Sequence, residues 1–105
     1  SNNIKVLLMG DAGFETEKYL IKEYNLKNVD ILKVGHHGSK YSSSDEFIKI
    51  INPKYSVISV SENNRFGHPD ISVIKKLASS KTYLTSKNGS VKFILQKPLL
   101  VNSVR

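Results

Sequence analysis

The chain has no cysteine and no tryptophan, and only one methionine, three prolines and three histidines in 105 residues. Without cysteine there is no disulfide framework, no thiolate metal site and no catalytic thiol, so any bound metal must be held by histidine and carboxylate side chains. Long apolar runs are also missing. None approaches the roughly 20 residues that span a bilayer, and no basic-then-apolar leader opens the chain, so a soluble piece is expected. Ser1-Asn2 reads as a cleavage scar from expression, which would make residues 1–105 a single domain or a fragment cut from a longer protein. Negative charge is scarce, with nine acidic residues against 16 lysines and arginines and a formal charge of +7. That excess suits an anionic partner such as nucleic acid. The lysines are scattered, however, and arginine occurs only at Arg65 and Arg105, so a solvated basic surface is the simpler reading.

Apolar residues make up 39% of the chain, enough for one modest core. Their spacing alternates between two periods. Ile4–Met9, Val29–Val34 and Tyr55–Val60 are short β-branched runs that read as buried strands. Between them, the stretch from Phe14 places Leu20, Ile21 and Tyr24 at helical spacing. Ser43-Ser44-Asp45-Glu46 resembles a capping box, with Ser43 as the cap, opening a helix striped by Phe47, Ile50 and Ile51 and stopped by Pro53. Asp70 can cap a third helix with Ile71, Ile74, Leu77 and Ala78 on its apolar side. Thr82–Thr85 and Val91–Leu95 read as strands joined through Asn88-Gly89, a dipeptide suited to a tight hairpin. The predicted order is β-α-β-α-β-α-β-β, an α/β architecture. The tail KPLLVNSVR has no period that decides its state.

Open α/β sheets bind ligands at the carboxyl ends of their strands. Three such ends carry chemistry here: Gly10-Asp11-Ala12-Gly13, Gly35-His36-His37-Gly38-Ser39, and the loop with Arg65-Phe66-Gly67-His68-Pro69. Asp11 between glycines suits either helix capping or ligation of a divalent cation that needs close approach. Neighbouring histidines on a strand would point apart, but in a loop one imidazole can hold metal while the other contacts substrate or moves a proton. Ser39, Ser42, Ser43 and Ser44 suit turns and caps. No spacing among them specifies a nucleophile with its base, although hydroxyls and helix-start N–H groups together can hold a phosphate oxygen. Arg65 suits a phosphate contact. His68, between Gly67 and Pro69, is a turn residue or a third imidazole at the same edge.

Taken together, GDAG at 10–13, LKVGHHGSKYSSS at 32–44, ISVSENNRFGHP at 58–69 and YLTSKNGSV at 83–91 resemble the C-terminal half of a metallo-β-lactamase-fold domain. The resemblance is to the ComEC-type family of competence DNA-internalisation proteins and their free-standing hydrolase relatives. It implies half of an αββα sandwich with a dinuclear zinc or manganese site at one edge. By motif, Asp11 matches the bridging aspartate and the HHGS pair, His36 and His37, contains a later ligand; His36, the first after the strand, is the favoured one of the two. The other imidazole, His37 on that choice, and His68 would then act on the substrate or support the ligands from behind, with Ser39 and Arg65 binding the substrate. Met9 stands where the family often has threonine. The family's HxHxDH cluster occurs nowhere in the 105 residues, so the metal site would be incomplete in this chain and the chain alone inactive. For the parent, the resemblance implies metal-dependent phosphodiester hydrolysis during DNA uptake, a membrane location with this domain in a soluble compartment, and DNA, the rest of the domain and a membrane channel as partners. Two other readings stand beside it: a non-catalytic DNA-binding or structural module, and a stand-alone small-molecule hydrolase.

Overall fold

A computed structural model describes residues 4–60, 69–85, 91–94 and 100–103. The elements run β1 (Val6–Leu8), α1 (Phe14–Glu23), β2 (Ile31–Lys33), a 3-10 turn (Gly35–Gly38), α2 (Asp45–Ile51), β3 (Tyr55–Ile58), α3 (Ile71–Lys76), β4 (Lys81–Leu84), β5 (Val91–Ile94) and β6 (Leu100–Ser103). The expected alternation is present, and the tail supplies one further strand.

Strands β1 to β4 form one parallel sheet in sequence order, with Val6 opposite Ile31, Ile31 opposite Tyr55 and Tyr55 opposite Lys81. Each connection contains a helix. Because such crossovers are right-handed, consecutive strands laid down in order put α1, α2 and α3 on the same face of the sheet. The buried residues agree. Leu32, Val34 and Ile58 from the strand side cluster with Phe47, Ile48 and Ile51 of α2, and with Val73 and Leu77 at α3. Burying each such side chain stabilises the fold by about 1.5–3 kcal/mol. The alternate strand residues face away from the helices, and there Val6 is 46% and Leu8 69% exposed.

Several local expectations are shifted by the packing. The cap of α2 is Ser44, whose Oγ accepts the Phe47 N–H at 3.1 Å, and Ser43 lies one residue outside with φ 57°. Within the helix Ile48 is buried and Ile50 faces outward, the reverse of the expected stripe. In α3, capped by Asp70 through the Ser72 N–H at 3.0 Å, Val73 is the buried residue and Ile71 is exposed. The expected hairpin is also replaced. Among the described residues β4 pairs in parallel with β3, while β5 pairs antiparallel with β6. The crossover through α3 gives β4 a place on the main sheet, and the tail gives β5 its partner; Asn88 and Gly89 lie outside the described residues. Ser44→Ala is expected to lower stability by about 0.5–2 kcal/mol, read from urea melts, whereas Ser43→Ala leaves the cap bond in place.

Candidate functional site

The site is built at the carboxyl ends of β1, β2 and β3. After β1 the chain turns through Gly10 and Asp11, with the Ala12 N–H donating to the Met9 carbonyl at 3.0 Å. Asp11 is exposed on this turn. It does not cap α1, because the cap position is Gly13 and no side chain bonds there. The capping alternative is thereby removed, and the carboxylate stands at the strand end.

After β2 the Gly35–Gly38 turn packs directly on the first turn. A Cβ at Gly35 would lie 2.9 Å from the Ala12 carbonyl oxygen and 3.1 Å from the Met9 Cβ, so only glycine permits this approach. The turn ends with two consecutive left-handed residues, His37 at φ 52° and Gly38 at φ 77°. Positive φ is uncommon for a residue with a side chain, though histidine tolerates it better than most, and such conformations gather at functional sites. The exposed His37 ring is fixed by its Nδ1, which lies 2.6 Å from the carbonyl oxygen of Ser59, just beyond β3. A carbonyl can only accept, so Nδ1 carries the proton, and in the neutral ring Nε2 holds the lone pair. This is the second contact that orients metal-ligating or proton-transferring imidazoles. The Gly38 carbonyl accepts the Asp70 N–H at 2.8 Å, which ties the start of α3 to the same turn.

The other expected site residues fall differently. The His36 backbone lies in the 3-10 turn, and its side chain is outside the described residues, as are Arg65 and His68. Ser39 is 1% exposed and turned inward, its Oγ accepting the Tyr41 N–H at 3.1 Å. Its hydroxyl serves the turn. The phosphate reading of the serine run meets a specific obstacle, because the N–H groups of Ser43 and Ser44 are taken by the carboxylate of Glu17 on α1. Ser44 donates to Oε1 at 2.9 Å and Ser43 donates to Oε2. The anion at the start of α2 is internal. A cleft of about 250 Å³ between α2 and α3 lies toward the opposite, amino ends of the strands, lined by Asn52, Pro53, Ser79 and Ser80 among others, and none of the expected site residues borders it.

Glu17 is what the sequence reading missed. The signal was present, since Glu17, Leu20, Ile21 and Tyr24 share the i, i+3, i+4, i+7 face, which puts a carboxylate on the apolar stripe. Glu17 is buried at 1% exposure while Tyr24, expected in the stripe, is 62% exposed and packs edge-on to Tyr19.

The donors suit part of a metal centre. A strand-end carboxylate and imidazole nitrogens on the neighbouring turn are donor types that divalent metals accept. Among the described residues, however, no group of three or more histidine, cysteine, aspartate or glutamate side chains converges. A four-coordinate site needs further ligands. Nor is any helix among the described residues long and apolar enough to cross a membrane.

Comparison with known proteins identifies the family. The family model described as the metallo-beta-lactamase superfamily matches residues 3–62, a span holding Asp11, both adjacent histidines and Ser59. The chain is 38% identical over 89 residues to ComE operon protein 3 of Bacillus subtilis, covering 83% of this chain and 12% of that protein. It is 35% identical over 89 residues to Recombination protein 2 of Haemophilus influenzae, covering 83% and 11%, and 33% identical over 92 residues to Competence protein ComA of Neisseria gonorrhoeae, covering 84% and 13%. The chain thus spans about an eighth of the length of these relatives. No solved structure matches. With more than half its residues in the family match, the chain belongs to the metallo-beta-lactamase superfamily and resembles the ComEC-type competence proteins.

Proposed function

We propose that this chain is the C-terminal portion of a metallo-β-lactamase-type domain, and that the complete domain hydrolyses DNA phosphodiesters with a divalent metal during DNA uptake. The observation that supports it best is the meeting of three strand ends, in which the Gly35–Gly38 turn packs on the Asp11 turn and the His37 ring is locked to the Ser59 carbonyl. In this reading Asp11 and His36 hold the metal, zinc or manganese, with the missing ligands supplied by the rest of the domain. When bound, the metal polarises a phosphoryl oxygen and makes water a stronger acid. The locked His37 presents Nε2 as an acceptor when neutral and as a donor when protonated, which suits proton transfer at the phosphate. Arg65 is proposed as a substrate contact, and His68 as a further imidazole acting on the substrate. The whole protein is placed at a bacterial membrane beside a channel, with this domain in a soluble compartment.

The face of the sheet opposite α1, α2 and α3 supports the same reading of the domain. Val6 and Leu8 are exposed there, and the rest of the sandwich is the proposed cover. Leu8→Lys is expected to change the stability of the chain alone by no more than about 0.5 kcal/mol, as for other exposed positions. In the protein extended through its neighbouring sequence, the same change is expected to lower the melting temperature, because it buries a lysine between the sheets. Equal effects in both would remove the assigned cover.

The function is tested by assaying the extended protein on single- and double-stranded DNA with manganese or zinc. Metal-dependent cleavage lost in Asp11→Ala is the expected result, and this chain alone is expected to show none. The charge excess favours a second reading, a non-catalytic DNA-binding module. Salt-sensitive binding without cleavage, unchanged by Asp11→Ala with His36→Ala, would select it. Turnover of a small metal-dependent substrate but not of DNA would select a stand-alone hydrolase instead.

A further inference from the structure

We infer that Glu17 is a positioning residue for the histidine turn, its buried carboxylate holding the Ser39–Ser44 segment on which Gly35–Gly38 is set. This rests on reading that turn as part of the site, and extends the site to a residue that touches no substrate.

Taking a carboxylate out of water costs several kcal/mol unless its oxygens are satisfied. Both oxygens of Glu17 are satisfied by backbone N–H groups, Oε2 by Ser43 and Oε1 by Ser44 at 2.9 Å. These donors stand at a helix start, where the backbone has no intrahelical partner for them. At Ser43, with φ 57°, two successive N–H groups converge on the one carboxylate. Charge-assisted bonds of this kind are roughly twice as strong as neutral ones. The carboxylate therefore favours the unusual backbone at Ser43. Lys76 of α3 holds the same residue from another side, donating to the Ser43 carbonyl at 3.2 Å.

The next bonds lead to the histidines. Ser42, fully buried, shares its hydroxyl between the Gly35 carbonyl at 3.0 Å and the Ser39 carbonyl at 2.9 Å. Gly35 begins the histidine turn and abuts the Asp11 turn. A continuous path thus runs from Glu17 through Ser43 and Ser42 to Gly35, and the ring two residues further on is the one locked to Ser59. Glutamine cannot replace Glu17 here. It has one acceptor oxygen, and its NH2 group would face an N–H donor.

The test reads the His37 ring directly, by the nitrogen chemical shifts of histidine-labelled chain without added metal. The wild type is expected to show Nδ1 protonated and Nε2 unprotonated. Glu17→Gln is expected to lose that single pattern, giving mixed tautomers, and Ser42→Ala to do the same. Ser44→Ala, which removes the α2 cap but neither contact to Glu17, is expected to lower stability and keep the wild-type pattern. Glu17→Gln with lowered stability and an unchanged His37 pattern would reduce Glu17 to a structural role and overturn the inference. Should Glu17→Gln fail to fold, Ser42→Ala decides: an unchanged ring pattern overturns the inference and a mixed one supports it. No turnover enters this measurement, so failure of DNA cleavage in the extended protein would not move it, and its own failure would leave the cleavage assay standing.

Discussion

Gly38→Ala is expected to destabilise the chain by about 2–5 kcal/mol, read as a fall in the urea midpoint. Two costs combine. A left-handed backbone costs a residue with a Cβ about 1–2 kcal/mol, and Gly38 has φ 77°. Its Cβ would also meet the Pro69 Cβ at 2.6 Å and the Ile58 Cγ2 at 3.2 Å, and overpacking of this kind costs about 1–3 kcal/mol. The comparison variant is Gly10→Ala, where φ is 58° but nothing lies within 4 Å of the new Cβ. Only the backbone cost applies there, so its loss should be clearly smaller. Equal losses would mean that the contact with Pro69 relaxes freely. The effect matters beyond stability because the Gly38 carbonyl accepts the Asp70 N–H. Displacing Gly38 would shift the start of α3 relative to the histidine turn.

In the extended protein, Asp11→Ala is expected to lower metal-dependent DNA cleavage by more than about a thousandfold, and His37→Ala by about 10²–10⁴-fold. The first figure follows from charge. A metal contributes several kcal/mol of transition-state stabilisation, and about 4 kcal/mol is a thousandfold in rate. Asp11 is exposed and caps nothing, so its removal should leave the fold intact. An unchanged melting temperature with lost cleavage and weakened manganese or zinc binding separates a ligand from a structural residue. For His37 the expected signature differs, with cleavage lost and metal binding largely kept. Loss of metal binding in His37→Ala but not in His36→Ala would exchange the roles of the two histidines. Full activity in Asp11→Ala would remove the proposed centre.

Much of the fold was legible because it rests on local rules. The strands β1, β2 and β3 are short β-branched runs, and Phe14 and Asp70 mark helix starts that the structure keeps. Details that depend on neighbours were not legible. Which serine caps α2 is one of these: the Ser44 Oγ takes the Phe47 N–H, while Glu17, far off in sequence, engages the backbone N–H groups of Ser43 and Ser44. The partner of β4 could not be read from Asn88-Gly89, because a turn dipeptide reports local geometry and says nothing of a competing strand across the sheet. On the site, the three strand-end motifs were visible as residue types in order, and the HxHxDH cluster was visibly absent. The lock on His37 was not visible, since its partner is a backbone carbonyl, and a backbone atom leaves no mark in the residue alphabet.

By itself the sequence determined the α/β alternation, the family and the positions where carboxylate and imidazole follow strands, since periodicity and motif spacing are properties of the chain read in order. Only the tertiary structure decided that the first two turns touch through Gly35, that Nδ1 rather than Nε2 of His37 carries the proton, and that the start of α2 is closed to phosphate by a buried glutamate. Each of these depends on groups far apart in sequence brought within bonding distance, and their bond directions exist only once the sheet has set its strand ends side by side.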